Sequence, residues 1–204
     1  MREYIRFSKN KSVNLFIGTL LDIFSYMLTT LFCILVLNIY VFHVAYVQGD
    51  SMVPTLQDKD KLLVDGLKWS PSCGDIVIIS ADSAGLLNED GTPYQTDGLH
   101  KVIVKRVIAV AGQTLDMDFE HGYVYRDGSL LDESYTNTKT NAPVMDAAFS
   151  YPITIPEGYI YVMGDNREVS KDSRYADVGL IPLSEVEGCV LLRIQPLQKF
   201  GTVS

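Results

Sequence analysis

The hydrophobic pattern of the chain begins with a long apolar segment near the N-terminus. No side chain from Ile23 to Phe42 is charged, and the segment starts near Leu15 and is interrupted by Asp22. Twenty helical residues extend about 30 Å, which matches the hydrocarbon thickness of a bilayer. The pattern predicts a transmembrane helix, with Asp22 near the membrane interface or with the helix tilted.

Two alternatives to a membrane anchor fit this segment less well. A cleavable signal peptide has an apolar region of about 7–15 residues followed by a small-residue cleavage site, and no such site follows convincingly. A buried core helix rarely stays uncharged over such a length. We therefore favour a transmembrane anchor within residues 1–44, followed by a second domain at 45–204.

The charge of the N-terminal tail predicts how this anchor is oriented. The tail carries Arg2, Arg6, Lys9 and Lys11 against a single acidic side chain, Glu3. Basic residues flanking a span are retained in the cytoplasm. The N-terminus should therefore be cytoplasmic, and the domain that follows the anchor should lie outside.

After the anchor, short apolar runs rich in β-branched residues are separated by turn residues, which is typical of β-strands. The runs are Lys61–Val64, Asp75–Ser80, Lys101–Val110, Tyr159–Met163 and Val190–Ile194. No convincing helical period follows the anchor. The pattern predicts a mainly β fold, a compact antiparallel β domain preceded by one N-terminal transmembrane helix.

The same pattern predicts one hairpin and two loops. Gly122–Arg126 and Ser129–Leu131 are joined by Asp127-Gly128, a pair that supplies the positive φ of a tight hairpin turn. The stretches Ala81–Gly98 and Glu133–Phe149 are expected to be loops.

Composition excludes some functions and sets the redox expectations. The formal net charge is −8, and with no cluster of basic residues beyond the N-terminal tail a nucleic-acid partner is not expected. No pair among Cys33, Cys73 and Cys189 has zinc-ligand or redox spacing. A Cys73–Cys189 disulfide suits an extracytoplasmic domain, but two buried free thiols are favoured. No metal and no cofactor are expected.

A candidate nucleophile lies just after the anchor, in the segment Gly49–Leu56. Gly49 permits a tight backbone path and Pro54 prevents a regular strand or helix. Such a path can expose the Ser51 hydroxyl and leave the Ser51 N–H free to stabilise an oxyanion. Taken alone, however, the segment is most often a polar turn.

The base for such a serine is not an obvious histidine. The histidines are His43, His100 and His121, and none follows residue 121, which argues against the GDS-type lipases. Val53 replaces the second glycine of a Gly-x-Ser-x-Gly elbow, and Pro54 replaces the lysine of a Ser-x-x-Lys motif.

Lys105 is a second candidate base, because a lysine inside a strongly apolar strand is unusual. The alternative is a lysine on the solvent face of an edge strand, which Lys101 would share under strict alternation. The third element, residues 164–174, is rich in charged side chains and by composition alone indicates a solvated loop.

Together these elements resemble the bacterial type I signal peptidases from Val47 to about Gly188. The matching motifs are Gly-Asp-Ser-Met-x-Pro-Thr-Leu at 49–56, Gly-Asp-Ile-Val at 74–77, Lys-Arg-Val-Ile at 105–108 and Gly-Asp-Asn-Arg…Ser-x-Asp-Ser-Arg at 164–174. Four motifs in the family's order and spacing are highly specific.

The resemblance implies that Ser51 attacks the scissile carbonyl, that Lys105 as the free amine takes its proton, and that Ser170 orients the amine. It also implies a set of weaker substrate-binding candidates near the lysine and the pockets for small residues: Val47, Met52, Leu56 and Val104.

Two ion pairs are implied as well, Asp172 with Arg174 and Asp165 with Arg106. Carboxylates already paired with arginines raise the pKa of Lys105 less than bare carboxylates would. The chain departs from some family members at Gly49, where they place a serine whose hydroxyl helps to bind the oxyanion.

The implied function is that of a membrane-bound serine endopeptidase that cleaves N-terminal signal peptides from exported preproteins with small residues at positions −1 and −3. It would be a single-pass monomer in a bacterial cell membrane, with preproteins and the lipid bilayer as its partners. One alternative is a tethered accessory factor dedicated to one secreted structural protein. A self-cleaving switch protein is another, which the anchor and the lack of a DNA-binding region disfavour.

Overall fold

The computed structural model describes residues 11–67, 70–143 and 145–203. The chain falls into two units that divide between Val41 and Phe42. The first contains helix α1, Lys11–Tyr40, and within it Ser12–Leu37 is long and apolar enough to cross a membrane. The predicted N-terminal apolar helix is therefore confirmed, while the basic side chains of the tail lie outside the part of the chain whose side chains are described.

The second unit is built from short strands. In chain order they are β1 Phe42–Tyr46, β2 Lys61–Asp65, β3 Ile76–Ser80, β4 Ser83–Leu87, β5 Pro93–Asp97, β6 Val102–Val110, β7 Thr114–Asp118, β8 Tyr123–Arg126, β9 Ser129–Leu130, β10 Ile153–Thr154, β11 Tyr159–Met163, β12 Ile181–Pro182 and β13 Val186–Gln195. Two single 3₁₀ turns, Leu183–Glu185 and Leu197–Lys199, are the helical segments described in this unit.

These strands form three antiparallel sheets within the described residues. The largest has the order β1-β2-β13-β3-β6-β11-β12, the second β10-β7-β8-β9, and the third is the hairpin β4-β5. Strand β6 lies between β3 and β11 in the strand order, but β3 pairs with Val102–Arg106 and β11 with Arg106–Val110, so the first half of β6 has a paired strand on one side only. The predicted mainly β, antiparallel fold is confirmed.

The predicted hairpin is confirmed, because β8 pairs with β9 across Asp127-Gly128 and both turn residues have positive φ. The prediction of a loop at Ala81–Gly98 is wrong, because β4 and β5 form a hairpin there. Strand β4 lacks β-branched residues and β5 is exposed along its whole length, so neither has the alternation by which half-buried strands are recognised.

A close backbone contact explains the unusual composition of β4. Gly85 pairs with Gly179 in an isolated parallel bridge, and a Cβ at Gly85 would lie 2.7 Å from the carbonyl oxygen of Leu180. A glycine is needed for this approach. The stretch Glu133–Phe149, in contrast, contains no named strand among its described residues, as predicted.

The core beneath the N-terminal strands supports the segment that carries Ser51. Its buried side chains are Val47, Met52, Leu56, Leu62, Val64, Ile76 and Ile78. The turn after β1 is thus anchored by apolar side chains on both sides of Ser51, and β2 and β3 supply the surface on which it packs.

We expect Leu62→Ala to lower the free energy of unfolding by about 2–5 kcal/mol, because Leu62 is fully buried and its removal leaves a cavity. Leu130→Ala is the matched control, since Leu130 is 55% exposed and should cost at most about 0.5 kcal/mol. Denaturant unfolding of the detergent-solubilised protein measures both. Equal effects would contradict this assignment of the core.

Candidate active site

Ser51 and Lys105 meet at the base of a cleft. Lys105 Nζ lies 3.0 Å from Ser51 Oγ and donates a hydrogen bond of 2.9 Å to the carbonyl oxygen of Val104. Ser51 is half-buried in the turn after β1, and Lys105 in β6 is only 3% exposed. The alternative of a solvated lysine on an edge strand is therefore wrong for Lys105, whereas Lys101 is exposed and precedes the strand.

The environment of Lys105 favours its neutral form. Burial lowers the pKa of the Lys105 ammonium to about 8, although the charges of Asp172 and Asp165 act in the opposite direction and Arg174 adds to the lowering. An unperturbed lysine has a pKa near 10.4. A substantial fraction of Lys105 is thus a free amine at mildly alkaline pH, as a general base requires.

The carboxylate of Asp165 is held by Arg106, the residue next to the lysine. Arg106 Nε and Nη2 donate to the two oxygens of Asp165 at 2.8 and 2.7 Å, and both side chains are buried. Arg106 also lies over the ring of Tyr135, 4.2 Å from its centroid, and donates to the carbonyl oxygen of Gly74 at 2.9 Å. Thr55 donates a further hydrogen bond to Asp165.

The carboxylate of Asp172 is held by an arginine of its own loop. Arg174 Nε and Nη2 donate to the two oxygens of Asp172 at 2.8 and 3.0 Å, and the Gly164 N–H donates to Asp172 at 3.0 Å. Burial would raise the pKa of Asp172, but Arg174 and the Gly164 N–H outweigh it and hold that pKa below its usual value. Asp172 thus links the start of the charged loop, at Gly164, to its end, at Arg174, and all three contacts are buried.

A third ion pair lies beside these two and has no counterpart in the sequence-based predictions. The buried guanidinium of Arg167 pairs with Glu133 and contacts the hydroxyl of Thr140, while its Nε donates to the carbonyl oxygen of Gly164 at 3.0 Å. Glu133 lies 34 residues away in sequence, and no local pattern links the two. The polar composition around Glu133 and around Arg167 predicts solvated loops, not the buried contact between them.

Ser170 lies behind the turn that carries the nucleophile. A Cβ at Gly164 would be 2.2 Å from Ser170 Oγ and 2.5 Å from the carbonyl oxygen of Ser51, so only glycine lets the loop and the turn pack together. Ser170 Oγ is buried and lies close enough to Asp172 to help hold the pKa of that carboxyl below its usual value. The hydrogen bond to Lys105 that the sequence suggests is not formed in this structure.

The cleft above the pair has a volume of about 480 Å³ and is bordered by the turn after β1 and by the first half of β6. Val47, Met52 and Val104 line it, together with exposed Lys101. Leu56 does not, because it lies in the core beneath the turn. A cavity of about 560 Å³ near β8 and β9 is lined by neither Ser51 nor Lys105.

No group of three or more metal-ligating side chains occurs among the described residues. Cys73 and Cys189 are free thiols, so the alternative without a disulfide describes this structure.

Comparisons with known proteins show the family of this chain. The family model described as "Signal peptidase, peptidase S26" matches residues 20–195. The chain is 34% identical over 172 residues to a "Probable signal peptidase I-1" of Synechocystis sp., covering 82% of this chain and 78% of the relative. It is 28% identical to "Probable signal peptidase I-2" of the same organism, covering 92% and 78%.

A protein of Bacillus subtilis is also similar. "Signal peptidase I P" of Bacillus subtilis subsp. natto is 31% identical over 161 residues, covering 76% of this chain and 77% of the relative. Because the family model matches most of the chain, and a relative above 30% identity is covered over more than two thirds, the chain belongs to the signal peptidase family, peptidase S26.

Proposed function

We propose that this protein is a membrane-anchored serine endopeptidase that cleaves N-terminal signal peptides from exported preproteins, with Ser51 as nucleophile and Lys105 as general base. The observation that carries the proposal is the 3.0 Å contact between the Ser51 hydroxyl and a buried amine whose pKa is about 8. The names of the bacterial relatives support the same substrate class.

Catalysis begins when the neutral amine of Lys105 accepts the proton of Ser51 Oγ while Oγ attacks the scissile carbonyl carbon. The resulting oxyanion lies near the N–H of Ser51, which stabilises it. Collapse of the tetrahedral intermediate breaks the C–N bond, and the Lys105 ammonium gives its proton to the leaving amine. A water molecule then attacks the acyl-enzyme while Lys105 accepts its proton. The ester bond to Ser51 Oγ breaks, the Lys105 ammonium returns that proton to Oγ, and the new carboxyl terminus is released.

An extended peptide fits the cleft because β6 has an open edge there. Strand β3 pairs with β6 from Val102 onward, whereas β11 begins its pairing at Arg106. The backbone of Val102–Val104 can therefore pair with a substrate strand, which places the scissile bond beside Lys105. The lining by Val47, Met52 and Val104 leaves shallow apolar pockets suited to small side chains.

The helix α1 anchors the enzyme in a bacterial cell membrane, with a cytoplasmic N-terminus and the β domain outside. We propose that it acts as a monomer, since the hydroxyl, the amine and the cleft come from one chain. The dedicated accessory factor is not favoured, because such a role does not require a nucleophile paired with a base of lowered pKa.

Ser51→Ala should abolish cleavage while leaving the fold intact, because the hydroxyl makes the bond that is later hydrolysed. The loss should be several orders of magnitude in kcat. The measurement is incubation of detergent-solubilised wild type and variant with several unrelated preproteins, with a thermal unfolding curve for each enzyme. Near wild-type turnover by Ser51→Ala would refute the assignment, and cleavage of one preprotein alone would indicate the dedicated role.

The pH dependence of kcat/KM should follow the deprotonation of Lys105. With a pKa of about 8, the free-amine fraction rises from roughly one tenth at pH 7 to roughly nine tenths at pH 9. The rate should therefore increase about tenfold over that interval and then level off. A profile that falls from pH 6 to pH 9 would be incompatible with a lysine base.

Two lysine variants test whether Lys105 is the general base. Lys105→Arg should be inactive because a guanidinium keeps its proton at every accessible pH. Lys101→Ala is the matched control on the same segment, since Lys101 is exposed, and it should keep the wild-type pH profile. An active Lys105→Arg enzyme would exclude the proposed base.

Membrane topology provides a test that does not depend on turnover. Protease added to intact spheroplasts of a bacterial host should digest the β domain, because the basic tail retains the N-terminus in the cytoplasm. The same protein should be equally sensitive after lysis. Protection of the domain until lysis would reverse the proposed orientation.

A further inference from the structure

We propose that Asn166 is a positioning residue that fixes the direction of the Ser51 N–H, so that this N–H points to the developing oxyanion. The inference rests on the proposed function and adds a role for a side chain that touches neither the scissile carbonyl nor Lys105. It follows from two hydrogen bonds by which Asn166 holds consecutive peptide groups of the nucleophile's turn.

The first contact is made by the side chain. Asn166 Nδ2 donates to the carbonyl oxygen of Asp50 at 3.1 Å. The second is made by the backbone, since the Asn166 N–H donates to the carbonyl oxygen of Ser51 at 3.0 Å. One residue of the neighbouring loop therefore contacts both peptide groups that flank the Ser51 Cα. The Asp50 oxygen also accepts a longer hydrogen bond within the turn, from the Val53 N–H at 3.2 Å.

The geometry of the peptide bond turns the first contact into a constraint on Ser51. The Asp50–Ser51 peptide is not among the cis bonds of the described chain, and in a planar trans peptide the C=O and the N–H point in opposite directions. Drawing the Asp50 oxygen toward Asn166 therefore directs the Ser51 N–H away from the loop. Rotation of this peptide plane would break the hydrogen bond to Asn166.

The Ser51 N–H is free to serve as a donor. In the described part of the chain it donates no hydrogen bond, whereas the Gly49 N–H, two residues earlier, donates to Asp58 at 3.0 Å. Gly49 offers no side-chain hydroxyl to share the oxyanion. The stabilisation thus depends heavily on one backbone donor, and oxyanion stabilisation is sensitive to donor direction.

Asn166 is itself held firmly from the other side. Its carbonyl oxygen accepts the Ser170 N–H at 3.0 Å, and its neighbours Asp165 and Arg167 are buried in ion pairs. The loop backbone does not depend on the Asn166 side chain, which is half-buried. Removing that side chain should leave the Asp50 oxygen with the Val53 N–H as its remaining donor, at 3.2 Å, and so loosen the peptide plane without unfolding the loop.

The test compares Asn166→Ala and Asn166→Leu with wild type, using the full chain in detergent. Both variants lose the Nδ2 donor, and Leu retains a similar volume. We expect kcat to fall about 10- to 100-fold, somewhat less than the loss of a whole oxyanion donor, with KM and the thermal midpoint nearly unchanged. The apparent pKa in kcat/KM should also stay in place, because the charges around Lys105 are untouched.

A surface asparagine is the matched control. Asn88 donates its Nδ2 to Thr92 in the exposed β4-β5 turn, and Asn88→Ala should have wild-type kcat. A kcat within twofold of wild type for both Asn166 variants would overturn the inference. So would an effect confined to KM or a displaced pH profile, since either would assign Asn166 to substrate binding or to the base.

A second measurement separates this inference from the proposed function. Selective ¹⁵N-serine labelling reports the Ser51 amide directly, and Asn166→Ala should shift that resonance while leaving Ser173 in place. An unmoved Ser51 amide would overturn the inference even if the enzyme cleaves preproteins. Absence of preprotein cleavage by wild type would overturn the proposed function, whereas the amide shift would still decide whether Asn166 orients the peptide.

Discussion

The constraint on which this site depends is that the amine of Lys105 must lose its proton near neutral pH inside an acidic protein. Burial lowers the pKa from 10.5 to about 8, which corresponds to about 3 kcal/mol less stabilisation of the ammonium form. Asp165 and Asp172 oppose this shift. Each is paired with an arginine through two hydrogen bonds, so most of its charge is compensated before it acts on the lysine.

The same pairing explains how a loop full of charges becomes part of the interior. A buried charge without its partner costs several kcal/mol, so Arg106, Arg167 and Arg174 can be buried only while their carboxylates stay in place. Because these partners come from β6, from Glu133 and from the loop, they tie distant segments together. The loop can then present Gly164 and the residues after it to the turn of Ser51.

The extent to which sequence predicts this arrangement differs between its parts. The helix follows from the length of its uncharged run, and strands such as β3 and β11 follow from apolar, β-branched runs bounded by turn residues. The apolar strand around Lys105 marks that lysine as a candidate but fits a solvent-facing lysine equally well, and Arg106 lies 59 residues from Asp165. The burial of Lys105 and the ion pairs are therefore predicted through motif order. The Glu133–Arg167 pair lies partly outside those motifs, which is why it was missed.

The two hydrogen-bond contacts of the amine determine what each protonation state can do at this site. A protonated lysine has three N–H donors, whereas a neutral one has two donors and a lone pair. In the described structure Lys105 Nζ makes two hydrogen bonds, to Ser51 Oγ and to the carbonyl oxygen of Val104. An ammonium has no lone pair, so it can only donate to Ser51 Oγ and cannot accept its proton. The neutral amine can instead accept the Ser51 proton with its lone pair while Val104 holds one N–H, and that is the orientation a general base requires.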